Sequence, residues 1–522
     1  MPKLLKDNRN SKGTTAEDVA AVVKPAKADE APAANPDLAL TVRATDGPGR
    51  GVVRLGLENW GCRDLVPELR RITLRVQRDG RDLKVEVTSD GEGLVSHAGS
   101  VLLAQIADRT GLTRALSFGL LGMKERRSGH DPGRVVRDLA VMLADGGECL
   151  SDLGGLRDQL ALFGGIASNA TAYRVIERIA SSPELVDALR AAHAKARAHA
   201  WELGVKPERV TIDLDATLIT AHSEKDGAAG NFKGGYGFAP MMAYCDESRE
   251  ALAGMLRPGN APAHSARDQI AAAESALDQI PPEHVQELEI LLRTDSAGAA
   301  HELVDWCREG RIGFSVGFDL TEPVRSAILD LPEDAWVPAL EKDGKTRPNG
   351  QLAELTRLVD LDSWPKRSRL ICRRERAHPG AQLTFTDHDG HRFQVFLTDQ
   401  DDPEIAVLEL RQRQRAHAED HIRNDKDTGL RKLPFQDFQM NQVWLYLVLI
   451  AHDLIIWSQT LLLDGQLAKA EPKRLRYTIL HTAARLSFHG RRARLKLQCT
   501  WPWARELAAA FAKLGALPAP AD

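Results

Sequence analysis

Asp213 and Asp215 stand two positions apart in VTIDLDATLIT, residues 210–220 of a 522-residue chain. So apolar a run reads as a β-strand, and carboxylates inside a sheet are costly unless something pairs with them. Period-two alternation puts Val210, Ile212, Leu214 and Ala216 on one face and Asp213, Asp215 and Thr217 on the other. In ELEILLRTDSAGA, Asp295 ends an apolar strand just before a Ser-Ala-Gly turn, and strand ends in open α/β sheets are where ligands bind. In ELRQRQRAHAEDHIRNDK, helical geometry sets Gln412, Arg415, Glu419, Ile422 and Lys426 on one stripe at spacings of 3, 4, 3 and 4. Three carboxylates from two strands and a helix are hard oxygen ligands suited to two Mg²⁺ ions, with Mn²⁺ as a substitute. Two metals about 3.5–4 Å apart can activate an attacking oxygen and stabilise a leaving one in phosphodiester cleavage. Arg415 and Lys426 are placed to hold a phosphate backbone. Singly, each signal has an ordinary reading, as a turn or cap aspartate or a solvated i,i+4 salt bridge. Their order along the chain carries the joint reading, with Asp213 and Asp215 alternatives for the first ligand.

The elements that must position these residues follow from periodicity. From Val210 the order is three strands in quick succession, a helix (SARDQIAAAESALDQI), a strand (ELEILLRTD), a helix (AHELVDWCREG) and a strand (IGFSVGFD). This βββαβαβ order suggests an antiparallel start leading into parallel crossover units of an α/β fold. Residues 320–402 read as a β-rich insertion of short strands, WVPAL, LAELTRLV, RSRLICRRE, QLTFTD and HRFQVFLT, after which helical character returns. Upstream, VLLAQIADRTGLTRALSFGLL reads as two short helices joined by a turn, the outline of a helix-turn-helix or of a plain helical hairpin. ITLRVQRDGRDLKVEVTS reads as a β-hairpin about Asp79-Gly80. The expected domains are a disordered tail (1–40), a small β-rich segment (41–95), a helical region (96–205), a core in two parts (206–319 and 403–465) around the insertion (320–402), and a C-terminal region (466–522).

The order of strands and acids resembles the RNase H-like core of DDE transposases. Arg415-x3-Glu419-x6-Lys426 matches the R-x3-E-x6-K part of the Y-x2-R-x3-E-x6-K signature of bacterial insertion-sequence transposases, with Gln412 at the Tyr position. In that group a β-rich insertion separates the second Asp from the Glu. The blocks DLDATLITAHSEKDGAAGNFKGGYGF, LRPGNAPAH and LRTDSAGA also look like one branch of these enzymes. The resemblance implies Asp215, Asp295 and Glu419 as catalytic metal ligands, because the D-x-T motif here reads Asp215-Ala216-Thr217. Gln412 keeps the means to hydrogen-bond a phosphate or base but loses aromatic stacking. The activity implied is Mg²⁺-dependent cut-and-paste transposition, in which the enzyme binds terminal inverted repeats, cleaves the ends and joins 3′-hydroxyls to target DNA as a homodimer. The resemblance also implies DNA binding for residues 96–205 and DNA contact or dimerisation for residues 466–522. A structure-specific nuclease without strand transfer and a non-catalytic DNA-binding descendant are the alternatives. In related enzymes a tryptophan of the insertion can receive a flipped base, and Trp336 and Trp364 lie in that region.

Net charge of −4 gives no global case for nucleic acid, so local charge must decide. WPKRSRLICRRER holds six cations against one acid, among them Lys366, Arg367, Arg369, Arg373 and Arg374. KRLRYTILHTAARLSFHGRRARLK holds eight cations and no acid, with Arg491, Arg492 and Arg494 in its last third. Both suit phosphate contact. Six scattered cysteines without a C-x-x-C pair argue against a structural zinc site or disulfide framework. His222, His264 and His301 lack ligand spacing and read as ordinary polar residues. No secretory signal is visible at the N-terminus, and a cytoplasmic, nucleoid-associated protein is expected. Val443–Leu463 is the most apolar segment, but His452 and Asp453 interrupt it after a run of nine. A bilayer needs about 20 apolar residues, so a buried core helix and no membrane is the expectation.

Overall fold

The computed structural model describes residues 72–78, 81–124, 129–262, 264–376, 387–490 and 492–520. They belong to two compact units, Met1–Gly91 and Glu92–Asp522. In the first, β1 (Ile72–Arg78) and β2 (Arg81–Val87) pair antiparallel from Ile72↔Val87 to Arg78↔Arg81. The expected hairpin is therefore present, with its turn residues 79 and 80 outside the described residues. The expected disordered tail, residues 1–40, also lies outside them.

The second unit begins with β3 (Leu94–Val95) and the helices α1 (Val101–Arg109), α2 (Leu112–Gly119), α3 (Pro132–Ala144), α4 (Asn169–Ala180) and α5 (Pro183–Ala200). Between α1 and α2 the chain turns at Gly111, whose φ of +74° is left-handed and costs glycine little because it lacks Cβ. Leu102, Leu103 and Ile106 of α1 and Leu112 and Leu116 of α2 are buried, and α2 packs on α3 and α5. The two short helices form a hairpin built into the core, within the same compact unit as everything C-terminal to it.

A nine-stranded mixed sheet follows: β4 (Val210–Ala216), β5 (Met241–Cys245), β6 (Ala251–Met255), β7 (Ile290–Thr294), β8 (Gly313–Phe318), β9 (Val337–Leu340), β10 (Thr346–Glu354), β11 (Arg369–Arg376) and β12 (His391–Thr398). The helices α6 (Ala266–Leu277), α7 (His301–Glu309) and α8 (Glu322–Leu329) connect them. The spatial order is β9-β10-β11-β12-β8-β7-β4-β5-β6. β4, β7 and β8 run parallel at the centre, and every other neighbouring pair is antiparallel. Residues 320–402 thus open with a helix and then extend this sheet. β12 pairs with β8 from Ser315↔Thr398 to Phe318↔Val395, covering an edge that would otherwise expose unpaired backbone groups. LAELTRLV is no strand of its own, since only Leu352–Glu354 lie in β10 before the chain turns. Residues 377–386, which include most of QLTFTD, fall outside the described residues.

The chain closes with α9 (Ile405–Arg413), α10 (Ala416–Asp425), α11 (Phe438–Leu462), the hairpin β13 (Ala484–His489) and β14 (Arg492–Leu497), and α12 (Ala504–Ala516). By length and hydropathy α11 could cross a membrane, yet it is mostly buried in the fold. It packs between the edge strand β6 and the helices α1, α3 and α4. Its two central polar residues are both bound: His452 Nδ1 lies 2.6 Å from Asp425 Oδ1. Asp453 accepts from Arg197 at 2.6 Å and from the Ala251 backbone N–H at 2.8 Å. The apolar run breaks at His452 and Asp453 because there the helix is tied by hydrogen bonds to α10, α5 and β6.

Candidate active site

The two aspartates of β4 share a face and differ in depth. Asp213 is fully buried, with Arg293 of β7 donating to both its oxygens at 2.6 and 2.7 Å. Arg293 also reaches Asp246 at 2.9 Å and the Arg411 carbonyl. The pair Arg293↔Asp213 is in register across the parallel strands, so this ion pair locks β7 to β4. Two residues further along each strand stand Asp215 and Asp295. Asp215 is near the C-terminal end of β4, and Asp295 directly follows β7. Asp295 caps a short turn by accepting from the Ala297 N–H at 3.1 Å. That turn presses against β8 at Gly317, where a Cβ would come within 2.5 Å of the Ser296 nitrogen. Only glycine leaves room there for the backbone that carries Asp295.

Glu419 and Arg415 come from the third element. The expected single helical stripe is divided: α9 ends at Arg413 and α10 starts at Ala416, with Arg415 capping it. Gln412 therefore faces the sheet. Its amide donates to the Thr294 carbonyl at 3.0 Å and accepts from the Ser315 hydroxyl at 2.7 Å, so both its polar ends are used within the protein. Arg415 spans two carboxylates, donating to Asp215 at 3.4 Å and Glu419 at 3.0 Å. At the other end of α10, buried Asp425 accepts from the Tyr244 hydroxyl of β5 at 2.6 Å and bonds His452 of α11. This anchor fixes α10 against the sheet and with it Glu419 and Lys426.

Asp215, Asp295 and Lys426 line one cavity of about 370 Å³. Asp295, Arg415 and Glu419 line a larger one of about 690 Å³. Asp295 lines both, so the two cavities adjoin there, and the three carboxylates border them. Burial pushes the Asp215 carboxyl up to about 6. Arg415 pulls it down, while the neighbouring Asp295 and Glu419 charges add to the rise. Burial also holds the Lys426 ammonium below its ordinary value, with Arg431 and Lys233 contributing. Acids crowded in this way favour a cation among them.

The other expected DNA contacts divide sharply. In the first basic stretch, Arg369 makes a two-point pair with Glu354 at 3.0 and 2.9 Å. Arg373 pairs with Glu409 at 2.6 Å. Arg374 pairs with Glu333 and lies 4.2 Å over the Trp336 ring. Arg367 is exposed and 3.4 Å from Asp401, and Lys366 is exposed. Alternation along β11 sends Arg373 and Arg374 to opposite faces, so the cations that crowd the sequence do not form one patch. Trp336 is buried, and Trp364 stacks on His301 at 3.9 Å between ring centres. Arg492 and Arg494 are exposed on β14, and Arg491 lies outside the described residues.

Sequence reasoning missed three groups that bear on the site. Arg293 and Asp246, with Asp213, form its buried ionic floor; an arginine inside the apolar run EILLRTD was the available signal. The Tyr244–Asp425–His452 anchor joins residues too far apart in sequence to be associated. Lys233 and the exposed Phe232 line the Asp215 cavity from a small antiparallel sheet after β4 (Ile219–Thr220, Ala229–Gly230 and Tyr236–Phe238). The glycine-flanked NFKGGYGF hinted at a turn there.

Comparison with known proteins adds a family. The model of the transposase DDE domain group 1 matches residues 77–519. No curated protein matches the chain. Among solved structures the chain is similar to one described as a cryo-EM structure of the piggyBac transposase synaptic complex with hairpin DNA. The TM-score is 0.38 at 10% sequence identity, over 74% of this chain and 80% of that one.

Proposed function

The chain belongs to the transposase DDE domain group 1 family, and on that premise we propose that it moves a bacterial insertion sequence by Mg²⁺-dependent cut-and-paste transposition. In this reading it binds terminal inverted repeats, cleaves them and joins the freed 3′-hydroxyls to target DNA. The observation that carries the reading is the placing of Asp215, Asp295 and Glu419 around two adjoining cavities, with Arg415 bonded to two of them. The strand order β6-β5-β4-β7-β8 around three parallel strands supports an RNase H-like core.

The donor set fits a hard divalent cation: the Asp295 and Glu419 charges act on the Asp215 carboxyl, and a guanidinium already supplies positive charge to Asp215 and Glu419. Asp215, Asp295 and Glu419 would hold Mg²⁺, which supplies activation of the attacking oxygen and stabilisation of the leaving one. Arg415 keeps Asp215 and Glu419 oriented toward each other. Lys426 and Lys233, on the cavity that Asp215 lines, neutralise phosphates of the strand being cut. Gln412, at the signature's Tyr position, fixes the end of β7 before Asp295. Action as a homodimer in the cytoplasm belongs to the same proposal.

The test incubates the protein with labelled transposon-end DNA, target plasmid and Mg²⁺. Cleaved ends and joined product are expected, and Asp215→Ala, Asp295→Ala and Glu419→Ala should each abolish both while retaining end binding. Cleavage that survives all three substitutions would overturn the assigned site. Cleavage without any joined product would make the enzyme a nuclease.

A further inference from the structure

Away from the carboxylates of the active site, His97, Asp145 and His481 meet from distant parts of the chain. His97 follows β3, Asp145 caps the end of α3, and His481 closes the helical turn Arg476–Leu480 that precedes β13. His97 Nδ1 is 2.5 Å from Asp145 Oδ2, and His481 Nε2 is 3.1 Å from Asp145 Oδ1. One ligand atom from each residue lies within 4.8 Å of the other two. The two imidazole rings stand 4.4 Å apart between centres.

From this arrangement we propose that His97, Asp145 and His481 form a site for a borderline divalent cation of the zinc class. Two imidazole nitrogens and a carboxylate oxygen are the ligands such ions take, at about 2.0–2.2 Å. Among the described residues no thiolate joins the three, and nitrogen with a single carboxylate suits zinc better than Mg²⁺ or Ca²⁺. The surroundings already orient the donors. The Ser100 hydroxyl donates to Asp145 Oδ1, and the His97 backbone N–H donates to the Gln159 side chain. A partner on a ligating carboxylate, as Ser100 is here, fixes that ligand and raises its affinity. Backbone bonds from Ala98 N–H to the Thr482 carbonyl (3.1 Å) and from Gly99 N–H to the Leu480 carbonyl (3.0 Å) hold the two histidine segments side by side. Gly99 packs on the Ile479 carbonyl with no room for a Cβ. A cavity of about 540 Å³ opens beside His97 and Asp145, giving solvent access to the remaining coordination position.

Bound metal would stitch the root of the β3–β13–β14 sheet to the helical body at α3. The site shares no residue with the active site, so its test is kept separate from the proposed activity. Full-length protein carrying Asp215→Asn, Asp295→Asn and Glu419→Gln, which removes the active-site carboxylates, is dialysed free of metal and titrated with Zn²⁺. One tightly bound equivalent is expected, with His97→Gln and His481→Gln each weakening it by at least about 100-fold. No tight equivalent in the parent, or unchanged affinity in both variants, would overturn the site. A second readout needs no substitution: Zn²⁺ should protect His97 and His481 from diethyl pyrocarbonate in peptide mapping, and equal modification with and without zinc would also overturn it.

Discussion

Asp215 carries a charge that its surroundings resist. Its side chain is 14% exposed, and burial, with the Asp295 and Glu419 charges, lifts its carboxyl to about 6 against the pull of Arg415. A carboxyl whose folded pKa is raised binds more protons folded than unfolded, so it subtracts stability as pH rises from about 4 to about 6 and keeps subtracting above that. Asp215→Asn removes the charge and keeps the shape. In metal-free protein it should raise stability by on the order of 1–3 kcal/mol at pH 8 and by less at pH 5, while cleavage falls about a thousandfold or more. Urea denaturation in chelator at the two pH values, beside an end-cleavage assay, checks both halves. Lower stability at pH 8 would mean that Arg415 already compensates the buried charge. The contrast with Asp213 is a matter of partners: Arg293 donates to both oxygens of the buried Asp213, whereas Asp215 has one long bond to Arg415 and lines a cavity. Alternation along β4 put both acids on one face and could not separate them, because the deciding arginine stands 80 residues away.

At the scale of elements, α10 is held at both ends, and the inner hold is ionic. Burial alone would push His452 down, but the Asp425 carboxylate outweighs it and holds the imidazole up at about 9. A raised histidine contributes stability that is complete below about pH 6.5 and lost as pH rises through about 9. Asp425→Asn removes the counter-charge, so that burial drives His452 to its neutral form, and it weakens the bond from Tyr244. It should cost about 3–5 kcal/mol at pH 7, with a smaller difference from the parent at pH 10, where His452 is neutral in both. Chemical denaturation at the two pH values measures this. End cleavage should also fall, since Glu419 rides on this helix and Lys426 directly follows it. The placing of Asp215 on a strand, Asp295 at a strand end and Glu419 on a helix was legible, because strand period, strand ends and helical spacing mark those elements. The break between α9 and α10 was not, for no glycine or proline marks Gln414-Arg415. That break turns Gln412 toward the sheet and leaves Arg415 on the acids. The insertion's merger with the main sheet was also hidden, because strand content does not reveal which edge a strand will join.

Over the whole molecule, the two basic stretches that look alike in sequence have opposite fates. On β11, Arg369, Arg373 and Arg374 are bound to Glu354, Glu409 and Glu333 and hold strands and helices together. On the C-terminal hairpin, Arg485 stands opposite Lys496, Ser487 opposite Arg494 and His489 opposite Arg492, so one face of a two-stranded ribbon carries the cations. Arg485, Arg492, Arg494 and Lys496 are exposed, and among the described residues no carboxylate pairs with them. Sequence could count these charges; only the cross-strand partners decide which remain free for phosphate. Removing one cation that neutralises a phosphate reduces the slope of log affinity against log salt by about 0.9. Replacing Arg492, Arg494 and Lys496 by alanine should therefore flatten the slope for end DNA by about 2 to 3, with folding stability changed by less than about 0.5 kcal/mol. Arg373→Ala, which leaves the 3%-exposed Glu409 without its closest cation, should do the reverse: a loss of about 1–3 kcal/mol of stability and an unchanged slope. Filter binding across a salt series, with thermal unfolding of the same proteins, separates the two. A flattened slope from Arg373→Ala and none from the hairpin variant would move the DNA path from the ribbon to the face of β11.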